Sequence, residues 1–201
     1  MSLPFALARI EQIEQALVPQ QPVATSPAAA PAAGATATAT AATASVGSTS
    51  FASLLGSAGG SPMTTIAGAE VGQGEQPPGS NDSPRIAQYR TATAGSGVGP
   101  WCAYFVSWVA RQAGTPLGDH GEGFGSVDQL YAWAQRTGRA VPNGPGTVPR
   151  PGDLIVFHEH IGIVEQVLPG GRIQTIEGNS SDRVSRNVHD FSDALGYVRM
   201  S

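Results

Sequence analysis

Apolar residues recur along the last two thirds of the chain in two different patterns. Before residue 140 they are spaced three and four apart, which predicts helices over residues 64–71, 85–90, 100–114 and 126–138. From Asp153 onward, short runs rich in β-branched residues predict strands over residues 153–157, 161–168, 172–176, 184–188 and 195–199. Helices followed by an antiparallel meander are typical of an α+β fold, so we expect N-terminal helices packed on a C-terminal sheet.

The first third of the chain differs in composition from the rest. Leu3, Leu7, Ile10, Ile13 and Leu17 form one apolar stripe, which predicts a short amphipathic helix over residues 1–19. It could be an interaction helix, an export element or a solvated helix, and it lacks the features of a classical signal peptide. Residues 20–61 are a low-complexity Ala/Thr/Pro segment for which we expect a disordered linker. The globular domain is then residues 62–201.

Composition excludes several classes of function. The 201 residues carry 11 basic and 15 acidic side chains, and a net charge of −4 gives a nucleic acid no electrostatic reason to bind. No stretch approaches the roughly 20 apolar residues of a transmembrane helix, so no membrane span is expected. One cysteine, Cys102, can form neither an internal disulfide nor a cysteine-rich metal site.

Cys102 is the first candidate for chemistry. If Pro100 occupies the first helical position, the thiol lies in the first turn, where unpaired amides and the helix dipole favour the thiolate. The alternative is a small core residue, which is what most lone cysteines are.

A thiol nucleophile needs a base, and the chain has four histidines. His160 directly precedes the strand Ile161-Gly162-Ile163-Val164, and Gly162 on the same face leaves room for a neighbouring helix. His120 and His189 are interpreted as solvated residues. A zinc site at His158-Glu159-His160 lacks a second group of ligands, so no metal is expected.

Glu177 and Asn179 are candidates to orient the imidazole. They lie two residues apart after the next strand, so they share a face. A hairpin across Pro169-Gly170-Gly171 would place residue 176 or 177 opposite 163 or 164 and Asn179 closer to His160. The alternative is that both are ordinary turn residues.

Four motifs of the sequence, in their order along the chain, resemble those of the CHAP family. Its members are cysteine- and histidine-dependent amidohydrolases and peptidases with a papain-like fold. The resemblance covers about residues 67–198, and its motifs are Pro100-Trp101-Cys102-Ala103-Tyr104-Phe105-Val106-Ser107-Trp108, Pro151-Gly152-Asp153-Leu154-Ile155-Val156-Phe157, His160-Ile161-Gly162-Ile163-Val164 and Ile176-Glu177-Gly178-Asn179.

The resemblance implies a site. Cys102 would be the nucleophile, His160 the general base and acid, and Glu177 and Asn179 the polar partners of the imidazole. The reaction would pass through a thioester and needs no cofactor. Trp101 is our candidate for substrate binding.

Most CHAP proteins cut bacterial peptidoglycan, so the resemblance implies this polymer as the substrate, with amidase and endopeptidase activity both open. We expect action outside the cytoplasm, with export by a non-classical route. The N-terminal helix and linker are similar to those of flagellum-associated wall hydrolases, and a phage tail would also fit, so a flagellar rod or tail protein is the expected partner. The alternatives are a catalytically silent structural module and an enzyme acting on a different amide.

Overall fold

The computed structural model describes residues 60–200. They form four α-helices: α1 (Pro62–Ala69), α2 (Pro84–Arg90), α3 (Cys102–Gln112) and α4 (Val127–Arg136). The predicted helix at residues 1–19, and the linker up to residue 59, lie outside the described residues. The boundaries of the three segments stay predictions.

Side-chain caps fix where three of the helices begin, at Ser61, Ser83 and Ser126. Ser83 accepts a hydrogen bond from the backbone of Ile86, and Pro84 follows at the first helical position. Ser126 accepts one from the backbone of Gln129, so α4 begins at the residue that the sequence indicates. In contrast, α3 begins two residues after Pro100, at Cys102 itself.

Six strands form one antiparallel sheet in the order β1-β6-β2-β3-β4-β5. They are β1 (Ala140–Pro142), β2 (Leu154–Val156), β3 (Ile161–Leu168), β4 (Arg172–Glu177), β5 (Ser185–Asp190) and β6 (Gly196–Val198). Five match predicted strands, whereas β1 was missed because it holds one β-branched residue, Val141, and ends in a proline, which argues against a strand. A 3₁₀ turn, Phe191–Asp193, joins β5 to β6. The predicted α+β fold, helices packed on a C-terminal antiparallel sheet, is confirmed.

The sheet separates two apolar clusters. The larger lies under the helices and includes Phe105 of α3 together with Ile163 and Ile176 of the sheet. The smaller, on the opposite face, includes Ile155 and Ile173. Burial of this apolar surface is what holds the helices against the strands.

Strand alternation places several polar side chains on one face. Because Ile173 lies on the face opposite the helices, Thr175 and Glu177 follow it on that face at two-residue intervals. On β5, Asn187 pairs with Thr175 and His189 pairs with Ile173. This arrangement gathers four polar side chains around the end of β4.

The first turn of α3 packs closely on the turn that follows β4. A Cβ added to Gly178 would lie 2.5 Å from the Cβ of Phe105 and 2.9 Å from the Trp101 ring. Only glycine permits this approach, which brings the helix that begins with Cys102 next to the strand that ends with Glu177.

No helix among residues 60–200 combines the length and the apolar character needed to cross a bilayer.

Candidate active site

Cys102 is the first residue of α3 and is only 5% exposed. It lines a cavity of about 480 Å³, whose other walls include Tyr104, Ser126 and Asp128 and, beside His160, Glu159. The volume falls within the range of small-molecule and peptide sites. The sulfur is thus recessed in the protein but faces a space that a substrate can enter.

His160 directly precedes β3 and links the thiol to a carboxylate. Its Nε2 lies 2.9 Å from Oε2 of Glu177. Burial alone would lower the pKa of His160, but hydrogen bonds and charge attraction with Cys102 and Glu177 outweigh it and raise the pKa to about 9. The imidazole therefore keeps its proton at neutral pH.

Glu177 is the last residue of β4 and is 2% exposed. Burial would raise the pKa of its carboxyl, but hydrogen bonds from His160, Thr175 and His189 and the charge of His160 lower the pKa to about 2. Asn187 donates a further hydrogen bond to Oε2 at 2.9 Å. A buried carboxylate with this many donors is ionised throughout the physiological range.

The sequence predicts that Gly162 leaves room for a neighbouring helix, and this is wrong. Gly162 makes room for the Glu177 side chain instead. A Cβ at this position would lie 2.6 Å from Cγ of Glu177. The reason is the register: Ile163 pairs with Ile176, so the neighbouring position places Glu177 across from Gly162. The predicted pairing of residue 176 with 163 is confirmed.

Replacing Gly162 with alanine is therefore expected to displace the Glu177 carboxylate from His160. A misplacement of about 1 Å can cost on the order of 10²-fold in rate, and we expect a loss of that size in kcat. Gly144→Ala is the matched control, because a Cβ there meets nothing within 4 Å. Thermal unfolding shows whether both variants are folded. If they are, equal kcat values for the two would contradict this role of Gly162.

His189 was interpreted as a solvated residue, and this is wrong. It lies on β5, with Nε2 2.6 Å from Oε1 of Glu177 and its ring 4.7 Å from that of Phe157. On this strand Ser185, Asn187 and His189 are half-buried, whereas Arg186, Val188 and Asp190 are exposed, so no apolar alternation in the sequence marks the buried face. The other two competing histidines, His120 and His158, are exposed.

Asn179 lies in the turn after β4 with a φ of 59°. Within residues 60–200, no hydrogen bond joins its side chain to His160, whose ring nitrogen instead contacts Glu177. Its assignment as an imidazole partner stays a prediction.

Trp101 does not line the cavity, and the expectation that it binds substrate is corrected. Its side chain is fully buried, stacks on Tyr89 with ring centroids 5.8 Å apart, and donates Nε1–H to Glu75 at 2.9 Å. The residue is the N-cap of α3, and its ring packs into the core beneath the turn at Gly178.

No group of three or more histidine, cysteine or acidic side chains in residues 60–200 is placed to hold a metal ion.

A thiol, an imidazole and a carboxylate in this order form the kind of site that cysteine hydrolases use. The family model of the CHAP domain matches residues 93–179, a segment that contains Cys102, His160, Glu177 and Asn179. The match falls on the segment that contains the four sequence motifs, so residues 93–179 resemble a CHAP domain, as those motifs indicated.

Among solved structures, the chain is similar to the peptidoglycan hydrolase RipB from Mycobacterium tuberculosis. The two are 23% identical with a TM-score of 0.40, and the match covers 69% of this chain and 62% of RipB. The chain thus spans less than two thirds of the length of RipB. No curated protein matches it.

Proposed function

We propose that this protein is a CHAP-type cysteine hydrolase that cleaves amide bonds of peptidoglycan, with Cys102 as nucleophile, His160 as acid and base, and Glu177 as the partner of the imidazole. The observation that carries this proposal is the His160 ring, which contacts the Glu177 carboxylate at 2.9 Å and whose pKa is raised by the neighbouring Cys102 and Glu177. The substrate class rests on the CHAP domain, since most proteins of that family cut peptidoglycan.

The first half of the reaction forms a thioester. The Cys102 thiolate attacks the amide carbonyl carbon, and the carbonyl π electrons move to the oxygen of a tetrahedral intermediate. When the intermediate collapses, the C–N bond breaks and protonated His160 gives its proton to the leaving amine. The acyl group then stays on sulfur.

The second half returns the enzyme to its starting state. Neutral His160 accepts a proton from water, whose oxygen attacks the thioester carbonyl. The C–S bond breaks, the carboxylic acid leaves, and the thiolate–imidazolium pair is restored. Glu177 stabilises the imidazolium and fixes the ring orientation in both halves, because it is ionised and does not move a proton itself.

The start of α3 supplies a donor for the intermediate. The backbone N–H of Cys102 belongs to the first helical turn, where amides have no intrahelical acceptor. An amide at that position is suited to stabilise the negative oxygen.

Clearing of purified peptidoglycan by the full chain under reducing conditions tests the proposal. We expect clearing, and mass spectrometry of the released fragments then distinguishes amidase activity from endopeptidase activity. An N-acetylmuramoyl-L-alanine amidase leaves glycans free of peptide, whereas an endopeptidase leaves stem peptides cut within themselves or at the cross-bridge. Absence of clearing with folded protein would favour the alternative of a silent structural CHAP module.

The place of action is also part of the proposal. A hydrolase of peptidoglycan must work outside the cytoplasm, so we infer that the enzyme acts at the cell wall. The helix predicted over residues 1–19 would then place the enzyme on a flagellar rod or phage tail protein, and this step rests on the sequence pattern of residues 1–61 alone.

A further inference from the structure

The Glu177 carboxylate is shared by two imidazoles. Oε2 contacts Nε2 of His160 at 2.9 Å, and Oε1 contacts Nε2 of His189 at 2.6 Å. The carboxylate side chain is only 3% exposed, whereas the two histidine side chains are 29% and 26% exposed. The mechanism above uses only the first of these contacts.

We propose that His189 is a positioning residue, which holds Oε1 of Glu177 so that Oε2 remains on the His160 ring. This role rests on the proposed function of Cys102 and His160. His189 itself touches neither the sulfur nor the cavity beside it, so it acts through Glu177.

The two other donors to Glu177, besides the histidines, each have a second hydrogen-bond acceptor. The Thr175 hydroxyl donates to Oε1 but also lies 3.4 Å from the backbone oxygen of Asn187. The Asn187 amide donates to Oε2 and also to the Ser180 hydroxyl, at 2.9 Å each. Among residues 60–200, the His189 ring has its hydrogen bond with Glu177 alone.

A carboxylate needs such a restraint because its terminal torsion is broad. Rotation about the last bond of a glutamate meets only a weak two-fold preference. With all four donors in place, rotation breaks hydrogen bonds at both charged oxygens at once. Without His189, Oε1 is held by the Thr175 hydroxyl alone, and the carboxylate can turn away from His160 at a smaller loss.

His189 is itself held in place on β5. Its backbone pairs with Ile173, and its ring lies against Phe157, which also stacks on His160 at 6.1 Å. The nearby charged pair, Arg186 and Glu165, belongs to the other face of the sheet, since Arg186 pairs with Ile176. Among the described residues, the titratable groups around this carboxylate are therefore His160, His189 and, through His160, Cys102.

Three variants of the full chain test the role of His189. His189→Ala removes the ring, His189→Gln restores an N–H donor near the position of Nε2, and His189→Asn places its amide one bond too short to reach. The first readout is kcat and KM on soluble peptidoglycan fragments. The second is the NMR titration of His160, assigned from the signal that is lost in His160→Gln.

We expect His189→Ala to lower kcat about tenfold with little change in KM, the size of effect of one hydrogen bond to a charged group. The pKa of His160 should fall from about 9, because a carboxylate that turns away no longer stabilises the imidazolium. His189→Gln should recover both values, and His189→Asn should behave as the alanine variant.

An unchanged kcat and an unchanged His160 pKa in His189→Ala would overturn the role, as would a rise in that pKa. If His189→Ala unfolds, the glutamine and asparagine variants are compared instead. Equal kcat and equal His160 pKa in these two variants would overturn the positioning role of His189. The titration needs no substrate, so it tests His189 even if the wild-type chain clears no peptidoglycan, which would count against the proposed function alone.

Discussion

Cys102→Ala is expected to abolish peptidoglycan clearing, with a loss of about 10³-fold or more in kcat/KM. Removal of the nucleophile from a cysteine or serine site leaves only the contribution of substrate binding and oxyanion stabilisation. The chain has one cysteine, so no second thiol can substitute. The rate is measured on purified peptidoglycan and on the soluble fragments released from it.

A structural role of Cys102 would have a different signature. The side chain is small and 5% exposed, so its truncation to alanine is expected to cost no more than about 1–2 kcal/mol in the free energy of unfolding. Cys102→Ser, with a hydroxyl of nearly the same size, is the matched control and should fold as the wild type yet remain inactive. Appreciable clearing by either variant would contradict the assignment of the nucleophile.

Glu177→Gln should lower kcat by about 10³-fold, since it replaces the carboxylate behind the imidazole with a neutral amide of the same shape. Loss of the Glu177 charge should also lower the pKa of His160 from about 9 toward or below its ordinary value of about 6.5. Protonated His160 is the general acid, and its raised pKa keeps it protonated until the pH rises through about 9. The alkaline limb of the wild-type rate therefore lies near pH 9, and that of Glu177→Gln at lower pH.

Glu165→Gln is the matched control for Glu177→Gln. Glu165 is a partly buried carboxylate on the neighbouring strand, but it pairs with Arg186 at 2.8 Å, and Arg186 lies on the other face of the sheet. This variant should keep the wild-type rate and alkaline limb. Similar losses in both variants would mean that Glu177 acts through stability of the sheet and not through His160.

The fold was largely predictable because its elements depend on local features. Ser83 and Ser126 cap their helices as short-range hydrogen bonds require, and β3 runs from Ile161 to Leu168 as its apolar run indicated. The start of α3 was placed at Pro100 because proline favours the first helical position. The helix begins at Cys102 instead, and the thiol still lies in the first turn.

The link between His160 and Glu177 was predictable because it depends on one hairpin. A short turn at Pro169-Gly170-Gly171 fixes the register of β3 and β4 within a residue or two, and that register pairs Ile163 with Ile176. The approach of Cys102 depends on long-range packing of a helix on the sheet. For that contact the order of the motifs, through the CHAP resemblance, was the stronger guide.

The remaining errors concern which side chains are buried. The tryptophan before Cys102 was expected to face substrate, but its hydrogen bond to Glu75 reaches a residue 26 positions earlier, which no local pattern reveals. The contact of His189 with Glu177 depends on β5 pairing with β4 across an irregular loop that includes Asn179, Ser181 and Asp182 at positive φ. Neither spacing nor composition determines such a loop.

Hydrolysis in the presence of hydroxylamine tests most directly whether the reaction passes through a thioester on Cys102. Hydroxylamine competes with water for a thioester, so a share of the released acyl groups should appear as hydroxamates, detected by mass spectrometry. That share should grow with hydroxylamine concentration, and no product should form with Cys102→Ala. Release of carboxylic acid alone, at an undiminished rate and at every hydroxylamine concentration, would contradict covalent catalysis by Cys102.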